Sequence, residues 1–336
     1  MFFTVFSGFL FGAIMVYARL NRYNVISGAA RLTDYTVPKA ILMAMGFGMI
    51  LLTVLIGLGL ANYHIKPFVT GGLIFGGLLF GAGMAILGYC PGTLFVSLGE
   101  GSLDALWGII GGVTGGVIFT LVLPVISGIL GPDFGKISLF GLLGRQDFVF
   151  YLIVVAFGSL LVFISFYLNK KEKAVDLRWL YSGMMLAVLN AVVFLKATAD
   201  RPIGASTSYP YVGDLITGLT DNDYFRKIKV PGHWEFLFLL GAMLAALLIS
   251  LLKKEFRISL IPSSWEKYKG ESGVKRIFWS VVGGFILVFG ARMAGGCTSG
   301  HILSGGMQLA FSSYVFALFV AIGLVITGKL FYRKKN

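Results

Sequence analysis

The chain has 336 residues, 57% of them hydrophobic and only 13% charged, with a mean hydropathy of +0.86. A soluble protein carries about 25% charged residues, so the composition excludes an ordinary soluble domain and points to a polytopic helical membrane protein. The net charge of +13 stands mostly in short loops between apolar segments, where positive-inside bias accounts for it, and no nucleic-acid partner is expected.

A membrane-spanning helix needs about 20 mostly apolar residues. In chain order the candidates are Phe2–Ala18, Pro38–Leu60, Phe68–Leu87, Leu103–Ile126, Asp147–Leu168, Trp179–Lys196, Trp234–Leu252, Arg276–Met293 and Ser313–Phe331. The first lacks a basic flank and a clear cleavage site, so it reads as a retained span rather than a signal peptide. The connections differ by side. Arg19–Val37, Asn169–Arg178, Lys253–Lys275 and the tail Phe331–Asn336 are strongly basic. Ala61–Pro67, Ser127–Gln146 and Ala197–His233 are longer or less basic and include Asp133, Asp200, Asp214, Asp221 and Asp223. The basic side is expected in the cytoplasm, with the N-terminus outside and the C-terminus inside.

Four small-residue stretches interrupt this pattern: RYNVISGAAR at Arg22–Arg31, GYCPGT at Gly88–Thr93, DRPIGASTSYP at Asp200–Pro210 and GGCTSGH at Gly295–His301. The order span, loop, span, span, loop, span occurs twice. Residues 1–128 form a first membrane repeat, 129–175 a connecting loop and spacer span, and 176–336 a second repeat. The single spacer span turns the second repeat over, which gives inverted topology. Broken re-entrant segments in inverted repeats are where transporters place substrate sites. A tight extramembrane turn is the plain alternative for any one loop; four at corresponding places favour re-entry. The expected fold is therefore an all-α polytopic membrane protein with about nine transmembrane helices and four short re-entrant helices in two inverted repeats.

The chain's two cysteines, Cys90 and Cys297, both fall in these loops. Proline suits the first position of a helix, so Pro91 makes Cys90 an N-cap. Thr298 and Ser299 are good caps, and Gly295 and Gly296 free the backbone before them. Half-helix N-termini present unpaired N–H groups and favour anions. A thiolate would repel an anion, so both thiols are expected as neutral, polarisable S–H donors suited to a soft, sulfur-bearing anion. Gly88, Gly92, Gly295 and Gly296 allow close backbone approach, and Thr93, Thr298 and Ser299 supply hydroxyls. Arg292 adds positive charge near the entrance and His301 a pH-dependent donor.

Plainer readings stand beside these. A membrane cysteine is usually an inert small hydrophobe, Arg292 at a span end can snorkel, and His301 can be a satisfied structural donor. Tyr209 and Tyr211 read as interfacial aromatics, Glu100 and Asp104 as capping groups, and Lys253–Lys275 as a topology signal. No zinc-type spacing is present, so no metal or other cofactor is expected. A redox-active Cys90–Cys297 pair, making an intramembrane thiol oxidoreductase, is a competing class. A passive pore for another small solute is a third.

GYCPGT and GGCTSGH resemble the motifs of the YeeE/YedE family of sulfur-compound transporters, and the layout of nine spans and four short helices is similar over essentially the whole chain. The resemblance implies a transporter rather than an enzyme, carrying thiosulfate or a related sulfur or selenium species across the inner membrane of a bacterial or archaeal cell. It implies passage of the anion between cysteines through transient S–H···S contacts, with two of those cysteines at Cys90 and Cys297. A third family cysteine precedes the S-G-A of the first loop; Val25 stands there in this chain. Family members often work with a small soluble cytoplasmic sulfur-carrier protein, which is the implied partner besides the lipid bilayer.

Overall fold

The computed structural model describes residues 1–144 and 147–333. Each expected span is a helix: α1 (Phe2–Tyr17), α3 (Thr36–Gly57), α4 (Thr70–Leu87), α6 (Leu103–Leu130), α8 (Phe148–Glu172), α9 (Arg178–Phe194), α11 (Asp223–Leu252), α13 (Gly273–Met293) and α14 (Phe311–Phe331). Short helices α2 (Tyr23–Ala30), α5 (Pro91–Gly99) and α10 (Ser208–Thr217), together with a π-helical segment (Thr298–Gly305), occupy the four interrupted stretches. Helices α7 (Leu139–Leu143) and α12 (Ser263–Lys269) lie in connections. The part of the basic tail at residues 334–336, and residues 145–146 of a connection expected on the outer side, lie outside the described residues.

Among the described residues, seven runs are long and apolar enough to cross a membrane; α4 and α5 together make one of them, and α1 and α9, at 16 and 17 residues, are shorter. Helix α11 begins at Asp223 rather than near Trp234, because the Asn222 side chain caps it by accepting from Phe225 N at 2.8 Å. The charged first turns extend the rod beyond its apolar part. Asp214, expected in an outer loop, is instead buried on α10, where Thr120 Oγ1 donates to it at 2.9 Å.

Apolar side chains gain little by leaving lipid for protein, so close backbone approach through glycine has to hold membrane helices together. At the α4–α13 crossing, a Cβ on Gly76 would lie 2.7 Å from the Gly290 carbonyl oxygen, and one on Gly290 would lie 2.6 Å from Phe80 N. Helix α4 packs on α14 and α13, and α6 on α13; α1 packs on α11, and α3 on α9 and α8. Exchanging α1 with α9, α3 with α11, α4 with α13 and α6 with α14 maps each of these pairings onto another in the set or onto itself, apart from that of α8.

Glu100 and Asp104 do more than cap. Asp104 is buried and receives Arg276 Nη2 at 2.6 Å and Nε at 3.1 Å, while Tyr89 OH donates to it at 3.1 Å. Arg276 Nη2 also donates to Leu87 O at 2.8 Å. Burying two charges costs several kcal/mol per ion, so such a pair fixes positions more than it stabilises. Here it fixes the backbone on either side of Gly88. Glu100 accepts from Asn21 Nδ2 at 2.6 Å and pairs with Arg22 at 3.1 Å, tying the first loop to the end of α5.

Candidate functional site

Helix α4 stops at Gly88, whose φ of +78° lies in the left-handed region open to glycine. The chain then runs extended through Cys90 (φ −101°, ψ 166°) and restarts as α5 with Pro91 at its first position. The expected cap is in place. Cys90 N donates to Thr93 Oγ1 at 2.8 Å, and that hydroxyl lies 3.3 Å from Cys90 Sγ and 3.1 Å from Cys90 O.

The second loop repeats this logic with one change. After α13, Gly295 takes φ +74° and Cys297 is extended (φ −115°, ψ −170°). Cys297 itself, not Thr298 or Ser299, is the residue that caps the π-helical segment, and its carbonyl accepts from His301 N at 2.8 Å. Ser299 Oγ lies 3.1 Å from Cys297 Sγ. Each thiol thus sits at the start of a short helix with one hydroxyl beside it. Both are free thiols.

One cavity of about 80 Å³ is bounded by Cys90, Gly92 and Thr93 from the first loop and by Thr298 and Ser299 from the second. Its remaining walls are apolar, among them Phe11, Met15, Met84 and Leu186. Cys90 is half-buried, whereas Cys297 is 1% exposed and does not line this cavity. Gly88, Pro91, Arg292, Gly295, Gly296 and His301 do not line it either. The two loops singled out in the sequence meet at this cavity, and of the expected residues Cys90, Gly92, Thr93, Thr298 and Ser299 form part of its wall.

Arg292 does not stand at an entrance. It is buried and donates to Tyr224 OH at 2.8 Å, Ser206 Oγ at 3.2 Å and Thr207 Oγ1 at 3.1 Å, gripping the loop before α10. Glu235 accepts from Thr207 N at 2.6 Å and pairs with Arg201 at 3.6 Å. His301 is fully buried with both ring nitrogens engaged: Nε2 lies 2.8 Å from Ala294 O and Nδ1 3.3 Å from Ser313 Oγ. A carbonyl only accepts, which assigns the proton to Nε2. His301 therefore braces the loop from Ala294 to α14.

Tyr209, read from the sequence as an interfacial aromatic, is buried, and its hydroxyl donates to Pro91 O at 2.7 Å. The packing of α10 against α6 and α11 carries it inward. Sequence reasoning also missed Lys66, Arg201, Ser206, Thr207, Tyr224 and Glu235. The only signal was the G-A-S of the third stretch, which marks the loop but not its partners. Lys66, on the connection between α3 and α4, donates to Gly295 O. Burial and the neighbouring Arg292 push its ammonium down to about 8. Val25, where the resemblance implies a third cysteine, is half-buried and lines a separate cavity with Arg19, Arg22, Lys254 and Arg257.

A family model described as Sulphur transport matches residues 18–326 of this chain. Thiosulfate transporter TsuA of Spirochaeta thermophila is 25% identical over 332 residues, covering 94% of each chain.

Proposed function

This chain belongs to the Sulphur transport (YeeE/YedE) family, and from that premise we propose that it takes up thiosulfate, or a closely related sulfur-containing anion, across the cell's inner membrane. The observation that carries the reading is the cavity whose wall joins Cys90 and Thr93 of one loop to Thr298 and Ser299 of the other. It is the juncture expected where two broken helices meet inside a membrane transporter. The name of the relative, a thiosulfate transporter, supports the choice of anion.

An anion entering a membrane loses its hydration, at a cost that only fixed donors offset. Two helix starts border the space between the loops, and such starts carry unpaired N–H groups and partial positive charge. Thr93, Thr298 and Ser299 add hydroxyl donors. Cys90 and Cys297 add neutral, polarisable S–H groups that suit the terminal sulfur of thiosulfate better than a hard oxygen. The anion approaches Cys297 from outside, passes to Cys90, and leaves toward the cytoplasm. No bond to carbon or sulfur forms or breaks on this path, so the activity is transport and not catalysis. The buried apolar residues that complete the wall add no polar partner to hold the anion, which leaves each contact weak enough to release.

The orientation follows the charge bias: N-terminus outside, C-terminus cytoplasmic. The exchangeable helix pairings support reading residues 1–128 and 176–336 as inverted repeats separated by residues 129–175. A small soluble sulfur-carrier protein in the cytoplasm is the proposed recipient. Reconstituted protein is to be assayed in liposomes against thiosulfate, sulfite, sulfate and selenite. Uptake of thiosulfate well above sulfate is expected. Equal uptake of sulfate, or no uptake of any sulfur anion, would overturn the reading.

A further inference from the structure

Cys297 is almost wholly enclosed, so an anion cannot reach its thiol until something on the outer side moves. Lys66 lies against the part best able to move. Its backbone is held firmly: Ser312 Oγ donates to Lys66 O at 3.1 Å, and His64 N donates to Gln308 Oε1 at 2.6 Å. From that base the side chain crosses to the Cys297 loop and donates to Gly295 O. A Cβ placed on Gly296 would lie 2.6 Å from Lys66 Nζ and 2.8 Å from His301 Cδ2, so the ammonium is laid directly over the glycine pair. Gly295 is in the left-handed region, and glycine crosses between backbone regions at least cost. Arg292, Glu235, Cys297 and Arg201 are all within electrostatic reach of the ammonium.

We propose that Lys66 is an anion-responsive latch over Cys297, which selects small anions for entry by exchanging its bond to the Gly295 carbonyl for a bond to the arriving anion. A neutral acceptor is traded for an ionised one, so the ammonium exchanges a carbonyl dipole for a full negative charge at hydrogen-bond distance, where the Coulomb attraction is larger. The exchange releases Gly295–Gly296 and uncovers the thiol. A neutral solute of the same size offers no such exchange and leaves the latch shut. The long, rotatable lysine stem suits this role, because the ammonium is a point charge that can swing between acceptors. The inference rests on the proposed transport reading only for which side is outer and which anion is natural.

The test reads accessibility and not transport. Cys297 is labelled in the full-length C90A background with two membrane-impermeant thiosulfonate reagents, one anionic and one cationic, in vesicles of each orientation. From the outer side, K66M is expected to speed labelling by both reagents on the order of tenfold, the loss of one hydrogen bond from a charged donor. K66R is expected to stay near the parent rate. K66Q carries the same expectation as K66M and serves if K66M does not reach the membrane. An unchanged rate in K66M and K66Q would overturn the latch. So would a fall with the anionic reagent and a rise only with the cationic one, since that is the mark of a surface charge and not of a closure. Labelling needs no substrate, so failure to move thiosulfate would refute the transport reading alone.

Discussion

The hydroxyl of Tyr209 donates to the carbonyl oxygen of Pro91 at 2.7 Å. The bond joins a short helix of the second half to the first residue of the helix that Cys90 caps. It ties the position of one thiol to the opposite half of the molecule. Phe95 packs edge-on against the same ring at 6.0 Å, so the ring stays placed without the hydroxyl. Y209F is therefore expected to fold, to lose about 1 kcal/mol of stability, and to transport several-fold more slowly. Thermal unfolding in detergent paired with initial uptake rates measures both. An unaltered rate in a correctly inserted Y209F would remove Tyr209 from the placement of Cys90.

Replacing either thiol tests the pathway directly. C90A and C297A are each expected to abolish thiosulfate uptake in liposomes at unchanged membrane insertion. C90S and C297S keep a donor but lose the polarisable sulfur, and are expected to retain only a small fraction of the rate. If C90A and C297A both transport normally, the thiol relay is wrong.

The buried Asp104–Arg276 pair predicts an asymmetry between single and double variants. D104N or R276M leaves one uncompensated charge inside the protein and is expected to cost about 3–5 kcal/mol. The double variant D104L/R276M removes both charges and is expected to recover much of that loss. Yield and melting temperature in detergent report it. Equal damage from the double variant would mean that the hydrogen bonds to Tyr89 and Leu87 matter more than the charge balance.

Lys66 gives the pH dependence its sign. Its ammonium is held down to about 8 by burial and by Arg292, with Glu235 opposing. Below that value it is charged and meets an anion; as pH rises through it, the charge is lost. The apparent KM for thiosulfate is therefore expected to increase above about pH 8, and K66R, whose guanidinium stays charged, is expected to flatten that rise. The linked stability runs the other way: a lysine with a lowered folded value is a burden while charged, and that burden is relieved between about 8 and its ordinary 10.5. Uptake at pH 7 and pH 9 in wild type and K66R separates these. A wild-type KM that does not change across this range would dismiss Lys66 as the titrating group.

Much of the architecture was readable from local pattern. Twenty-residue apolar runs have one solution in a bilayer, a helix with its backbone bonds internal, so the spans could be placed from hydropathy alone. Cysteine before proline fixes a helix start by covalent geometry, and Cys90 is the cap that Pro91 announces. Glycine beside cysteine marked both loops for the same local reason. The largest slip, at the start of α11, was set by a polar cap, Asn222.

Tertiary structure decided which atoms meet. Tyr209 and Pro91 are 118 residues apart, and Arg276 and Asp104 are 172 apart. No periodicity carries such pairings, because they depend on how the two halves dock and not on either segment's own conformation. Arg292 looked like an entrance charge because it ends a span, yet docking turned its fork onto Ser206 and Thr207. Lys66 belongs to no motif in the sequence, and only the fold laid it across the glycines beside Cys297. Composition and short motifs determined that this is a helical membrane protein with two cysteine loops. The docking of its halves, driven by glycine-mediated close approach and by a few buried polar bonds, decided that Cys90 borders a cavity while Cys297 is covered.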